Sequence, residues 1–152
     1  MTGNKIFLDT SYVIALCSLK DQYHKQAEAI SIELEINNTE LFTTKAVILE
    51  IANSLSKRKY RGVAIELINY LEADPNNKII PLSEDLYKRG LILYQERLDK
   101  EWSLTDCISF LVMKDYGLIH ALTSDKHFQQ AGFHALLLNK EVMNMKYPEA
   151  HK

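Results

Sequence analysis

Apolar positions along the chain alternate between short runs and longer stretches of helical spacing. Lys5-Ile6-Phe7-Leu8 ends abruptly in Asp9-Thr10-Ser11, the pattern of a buried strand followed by a helix start. Residues 12–19 continue helically. Residues 22–36 set Ala27, Ile30 and Leu34 at helical spacing until Asn37-Asn38 stops them. Leu41-Phe42-Thr43 is a second strand. Residues 46–55 form a helix with Val47, Ile51 and Leu55 on one face, and residues 63–71 form another that starts after Gly62. Beyond the turn cluster Asp74-Pro75-Asn76-Asn77, residues 78–82 make a third strand, which Pro81 assigns to a sheet edge. Ser83 caps a helix to about residue 98, and Ser103 opens one to about residue 116, with Gly117 as its stop. Residues 120–123 are a fourth strand, 126–130 a short helix ended by Gly132, and 134–138 a fifth strand. The core spans about residues 5–138, and residues 139–152 read as a tail.

No Asn-Gly or Asp-Gly turn joins any two of these strands. Strands alternating with helices predict a single α/β domain whose mainly parallel sheet is covered on both faces. A chain of 152 residues has the length of one domain. The longest strongly apolar stretch, residues 12–19, is far short of the ~20 residues that span a bilayer. The first residues carry no secretory apolar region. Cys17 and Cys107 lie far apart in apolar surroundings, neither a disulfide framework nor a zinc spacing. A cytoplasmic location is expected.

Charge changes the picture locally. The 18 basic and 20 acidic side chains give a net charge of −2, which by itself speaks against a polyanion partner. Yet Lys57-Arg58-Lys59-Tyr60-Arg61 concentrates four cations between two acidic stretches. That cluster reads either as a solvated helix end or as a local phosphate contact.

In an open parallel sheet, ligands bind beyond the carboxyl ends of the strands, where the strand order reverses. Asp9 follows the first strand and Asp125 the fourth. Glu50 and Asp106 sit among apolar helical neighbours. Each has a plain structural reading: Asp9 and Asp125 as helix caps, Asp106 as the partner of Ser103 in a capping box, Glu50 as an exposed helix residue. Together they are harder to dismiss, because carboxylates buried without partners are expensive and several in one place require a cation between them. Oxygen donors suit Mg²⁺ or Mn²⁺.

The segments Phe7-Leu8-Asp9-Thr10-Ser11, Glu50-Ile51-Ala52-Asn53, Trp102-Ser103-Leu104-Thr105-Asp106 and Leu122-Thr123-Ser124-Asp125-Lys126-His127-Phe128 resemble, in order and approximate spacing, the motifs of PIN-domain nucleases. The resemblance runs from Ile6 to about Leu138. It implies a three-layer α/β/α sandwich with strand order 3-2-1-4-5, which puts Asp9 and Asp125 at the switch point. It further implies an acidic cluster of Asp9, Glu50, Asp106 and Asp125 that binds Mg²⁺ or Mn²⁺ and hydrolyses RNA phosphodiesters, with Ser11 and Thr123 orienting the carboxylates or a water. Many bacterial proteins of this kind are VapC-type ribonuclease toxins, each inhibited by an antitoxin, and homodimers are common among them. With the four cluster carboxylates set aside, 18 basic side chains face 16 acidic ones, so the net charge does not exclude RNA.

If the helix through Glu50 continues, Lys57, Arg58 and Arg61 share its face and are expected to contact substrate phosphates. The five histidines show no metal-site spacing and read as structural or surface groups; His127, two residues past Asp125, is the one nearest the chemistry. Trp102 is expected to pack at a helix start and Cys107 in the core. The apolar series at 91–98 is either core or a dimer surface. Two rival functions stand beside the nuclease. An aspartyl-phosphate phosphotransfer protein shares the Asp at the end of strand one, but the position two residues on is Ser11 rather than a second Asp. A non-catalytic RNA- or partner-binding module is the other; four filled acidic positions argue against it.

Overall fold

The computed structural model of the chain describes residues 5–138. The tail expected at 139–152 lies outside the described residues. In chain order the elements are β1 (Lys5–Leu8), α1 (Thr10–Cys17), α2 (His24–Ile36), β2 (Glu40–Thr44), α3 (Lys45–Ser54), α4 (Arg58–Ala73), β3 (Lys78–Ile80), α5 (Glu84–Glu96), α6 (Leu104–Asp115), β4 (His120–Leu122), α7 (Lys126–Gln130) and β5 (His134–Ala135). The five strands form one sheet of order β3-β2-β1-β4-β5, and every pairing is parallel. The result is the α/β/α sandwich that the alternation of elements predicts.

Parallel strands covered on both faces are apolar without alternation. Ile6, Phe7 and Leu8 of β1 and Ala121 and Leu122 of β4 are accordingly all buried, and they lie side by side at the sheet centre. The third strand, expected over residues 78–82, takes the inferred edge position but ends at Ile80, leaving Pro81 outside it. Helix starts follow cap chemistry. Thr44 Oγ1 accepts from Val47 N–H to open α3, Ser83 Oγ from Leu86 N–H to open α5, and Ser103 Oγ from Asp106 N–H to open α6. Gly117 (φ 67°) and Gly132 (φ 97°) end their helices in the left-handed region. No helix of the described residues is long and apolar enough to cross a membrane.

Three expectations need correction. The helix bearing Glu50 does not run on to Arg61. It ends at Ser54, Leu55 leaves helical geometry, and Lys57 is extended (ψ 148°) as the residue before α4. The cause is packing: Leu55 turns into the core, and α4 must set off in a new direction to bury Ala64 and Leu71. Lys57, Arg58 and Arg61 therefore do not share a helix face with Glu50. Gly62, expected to precede its helix, lies inside α4; its helix-weakening effect is outweighed by that buried face. The fifth strand stops at Ala135, although Leu136 and Leu137 still donate backbone hydrogen bonds to Ala121 and Thr123 before the chain turns.

Helices α5 and α6 approach closely at Gly90, where an added Cβ would sit 2.6 Å from Ile108 Cγ1. Gly-to-Ala in a helix ordinarily gains up to about 1 kcal/mol. Here Gly90→Ala is expected to lose about 1–3 kcal/mol in urea denaturation. In a double-mutant cycle with Ile108→Ala, the combined loss should be smaller than the two separate losses added together.

Candidate active site

The carboxyl ends of β1 and β4 lie side by side, and the chain leaving each strand enters a helix at once. Asp9 caps α1, its Oδ2 accepting from Ser11 N–H at 3.3 Å. Asp125 caps α7, its Oδ1 accepting from His127 N–H at 2.9 Å. Asp106 closes the capping box of α6, its Oδ2 accepting from Ser103 N–H at 3.2 Å. The structural readings of these three acids are therefore all correct, and they do not exclude a site. The same helix starts open onto one cleft of about 380 Å³, lined by Asp9, Glu50, Asp106 and Asp125 together. Glu50 reaches it from the middle of α3, held by a hydrogen bond from the Thr10 hydroxyl to its Oε1.

Ser11, which lines the cleft, and the buried Thr123 meet between the strand ends. Both hydroxyls donate to Asp9 Oδ2, at 2.9 and 2.7 Å, and they stand 3.0 Å from each other. Their oxygens accept in turn from the backbone N–H groups of Ser124 and Asp125, each at 2.9 Å. This network ties the loop after β4 to the start of α1. All three bonds to Asp9 converge on Oδ2, so Oδ1 is the oxygen left to a ligand.

Two titratable groups lining the cleft lie outside the sequence-derived site. Glu101, just before Trp102, is a fifth carboxylate. His127 is the histidine nearest Asp125 in sequence, and its Nδ1 stands 3.2 Å from both Asp106 Oδ2 and Asp125 Oδ1. Glu101 carries no local signal. The signal for His127 is its place in the first turn of α7, directly after the Asp125 cap. Among the described residues, no lysine or arginine lines the cleft. Lys57, Arg58 and Arg61 are exposed beyond Ser54, which does line it; Arg61 Nε donates to Ser56 O at 3.0 Å and steadies the turn between α3 and α4.

Behind the acids lies an aromatic core. Trp102 packs edge-on against Phe110 at 5.0 Å, Phe110 against Phe128 at 5.0 Å, and Phe128 against Phe7 at 6.2 Å. The Trp102 indole N–H donates to Gln130 Oε1 at 3.0 Å, so Trp102 packs at a helix start as expected. Cys107 is fully buried beside Asp106.

The electrostatics follow from this arrangement. Burial pushes the Asp9 carboxyl up to about 6, with the Glu50 charge adding and the Thr123 and Ser11 hydrogen bonds opposing. Burial also raises Asp106, helped by the Asp125 charge and opposed by Ser103 N–H and His127. One donor atom each from Asp106, Asp125 and His127 lie within 4.8 Å of one another. A cleft rich in carboxylate oxygens, without a cationic side chain, fits a hard divalent ion.

The family model of the PIN domain matches residues 6–134. Among solved structures, the chain is similar to VapC20 of Mycobacterium tuberculosis, a toxin that cleaves the sarcin-ricin loop. The identity is 25% and the TM-score 0.72, covering 84% of this chain and 95% of that one. It is also similar in fold to FitAcB from Neisseria gonorrhoeae, at 20% identity and TM-score 0.58, covering 86% and 94% of the two chains. No curated protein matches the chain at a comparable level of significance.

A raised Asp9 makes the metal-free fold pH-dependent. The folded state holds a proton on Asp9 that the unfolded chain releases at lower pH, so this contribution is full below the ordinary carboxylate range and is lost as pH rises through about 6. About one of the roughly two units of the rise lies above pH 5, so about 1.4 kcal/mol is expected between pH 5 and pH 7.5. Urea denaturation in EDTA should show the metal-free protein more stable at pH 5 than at pH 7.5. Asp9→Asn, which keeps a competent cap, should shrink that difference and leave the part carried by the raised Asp106; an unchanged difference would contradict the electrostatic account.

Proposed function

The chain belongs to the PIN-domain family, and on that footing we propose that it is a Mg²⁺- or Mn²⁺-dependent ribonuclease and the toxin of a toxin–antitoxin pair. The observation that carries this reading is the meeting of Asp9, Glu50, Asp106 and Asp125, from four separate chain segments, in one cleft at the switch point of the sheet.

When bound, the divalent ion supplies positive charge for the phosphate and a water acidified enough to act as nucleophile at neutral pH. The protein's own residues do the rest. Asp9 and Glu50, the latter fixed by Thr10, would hold one end of the cation site. Asp106 and Asp125, fixed by the starts of α6 and α7, would hold the other. Ser11 and Thr123 keep Asp9 in one rotamer by donating their protons to Oδ2. No side chain is required as a nucleophile.

The substrate strand is proposed to leave the cleft past Ser54 toward Lys57, Arg58 and Arg61. Lys57 is three residues beyond Ser54, within about 10 Å of extended chain. The toxin reading rests on the similarity to VapC20. With it go an antitoxin partner, action in the cytoplasm and a homodimer. Exposed Leu49, Ile92 and Leu98, at 61%, 53% and 90% exposure, support association with another chain.

Asp106→Asn and Asp9→Asn should each lower RNA cleavage by at least ~100-fold, and excess EDTA should abolish it in the wild type. Full activity in EDTA would overturn the metal-dependent reading. RNA binding without cleavage would favour the non-catalytic module, and phosphoryl uptake from donors would favour the phosphotransfer protein. Induced expression should arrest growth for the wild type and not for Asp106→Asn.

Reversing Lys57 and Arg58 to Glu should weaken RNA binding and flatten its salt dependence by about one unit of slope for each phosphate no longer neutralised, with metal affinity unchanged. Lys59, whose Nζ lies 4.9 Å from the centre of the Tyr60 ring, is the control. Equal damage from Lys59→Glu alone would mean general charge rather than a strand path.

A further inference from the structure

The cleft has two chemically different ends. At one, the donors around Asp9 and Glu50 are all oxygens, carboxylate and hydroxyl. At the other, a nitrogen intrudes. His127 Nδ1 stands 3.2 Å from Asp106 Oδ2 and 3.2 Å from Asp125 Oδ1. Its ring is set by the backbone as much as by the acids, since His127 N–H donates to that same Asp125 Oδ1 at 2.9 Å. The ring is half-buried on the short helix α7, whose Phe128 is locked between Phe7 and Phe110. Phe128 thereby fixes the backbone from which the imidazole reaches the cleft.

Neighbouring ligand atoms on a six-coordinate ion with bonds of ~2.1 Å stand roughly 3 Å apart. The two 3.2 Å separations at His127 are close to that edge length. We propose that His127 Nδ1 is a nitrogen ligand to the divalent ion held by Asp106 and Asp125, and that it biases this end of the cleft toward Mn²⁺ over Mg²⁺. The proposal rests on the metal-dependent reading of the site and adds to it the choice of ion. Its chemistry is the contrast between donors: carboxylate and water oxygens satisfy Mg²⁺, whereas an imidazole nitrogen favours first-row transition ions. A cleft with four carboxylates alone has no reason to discriminate in this way. The all-oxygen end at Asp9 and Glu50 would accept either ion.

The test uses the full chain stripped of metal, titrated with Mn²⁺ alone, and read by pulsed electron paramagnetic resonance, with Mg²⁺ competition giving the relative affinity. The wild type should show nuclear modulation from a directly bound imidazole nitrogen. His127→Ala should lose that modulation and bind Mn²⁺ about tenfold more weakly or worse, with a smaller change for Mg²⁺. His127→Asn keeps N–H donors for the two carboxylates but has no ring nitrogen, so it should restore folding stability without restoring the modulation. A wild-type Mn²⁺ complex without imidazole coupling, or coupling that survives in His127→Ala, would overturn the role of His127 and leave the carboxylate site standing. Failure of the folded wild type to bind Mn²⁺ at all would overturn the metal-dependent reading itself, and this proposal with it.

Discussion

The structure is organised around a repulsion. Asp9 and Asp106 are only 5% and 8% exposed, and each faces another carboxylate across the same cleft, Glu50 and Asp125 respectively. Desolvation is the larger cost for both acids, and the neighbouring negative charge adds to it. Among the described residues, no lysine or arginine enters the cleft to relieve this. What holds the acids in place is a set of oriented dipoles: the hydroxyls of Ser11, Thr10 and Thr123, and the first backbone N–H groups of α1, α6 and α7. Helix N-termini favour negative charge, so the carboxylates sit where the backbone most readily tolerates them.

That arrangement merges folding with function. Asp9 and Asp125 cap their helices, Asp106 closes the capping box of α6, and all three line the cleft, so the groups that fix helix starts also place the acids in the cleft. The geometry is stiff because the elements behind it are stiff. Phe7 on β1, Phe110 on α6 and Phe128 on α7 pack in series, and Trp102 closes the end of the series with its hydrogen bond to Gln130. A shift in any of these rings would move a carboxylate. The raised Asp9 is the residual imbalance: the hydrogen bonds reduce the cost of burial without cancelling it.

The same logic shows why net charge alone does not exclude the proposed polyanion substrate. The negative charge is concentrated where a divalent ion would neutralise it, and the four cations of residues 57–61 lie at the turn just past the cleft wall, at Ser54. Net charge averages over these regions and hides the arrangement. The break between α3 and α4 matters here, because it leaves Lys57 and Arg58 exposed at a helix start rather than along the side of the Glu50 helix.

Local chemistry made much of this legible from sequence. Cap residues, glycine stops and unbroken apolar strands are decided within a few residues, and they located nearly every element. The motif residues Asp9, Ser11, Glu50, Asp106, Thr123 and Asp125 were legible as a group, and the described chain brings all of them to one sheet edge. Other features depended on packing between distant segments. Whether the helix through Glu50 continued was set by Leu55 turning into a core whose other members come from across the chain. Glu101 joined the cleft because Trp102 is pinned to Phe110 and Gln130. His127 became a third donor beside Asp106 and Asp125 because α6 and α7 pack together, placing side chains 21 residues apart in sequence within hydrogen-bond reach. Periodicity and capping act over a single helical turn, so sequence alone could determine which elements form and which carboxylates were available. Only packing, which acts between elements, could decide which of their side chains would meet.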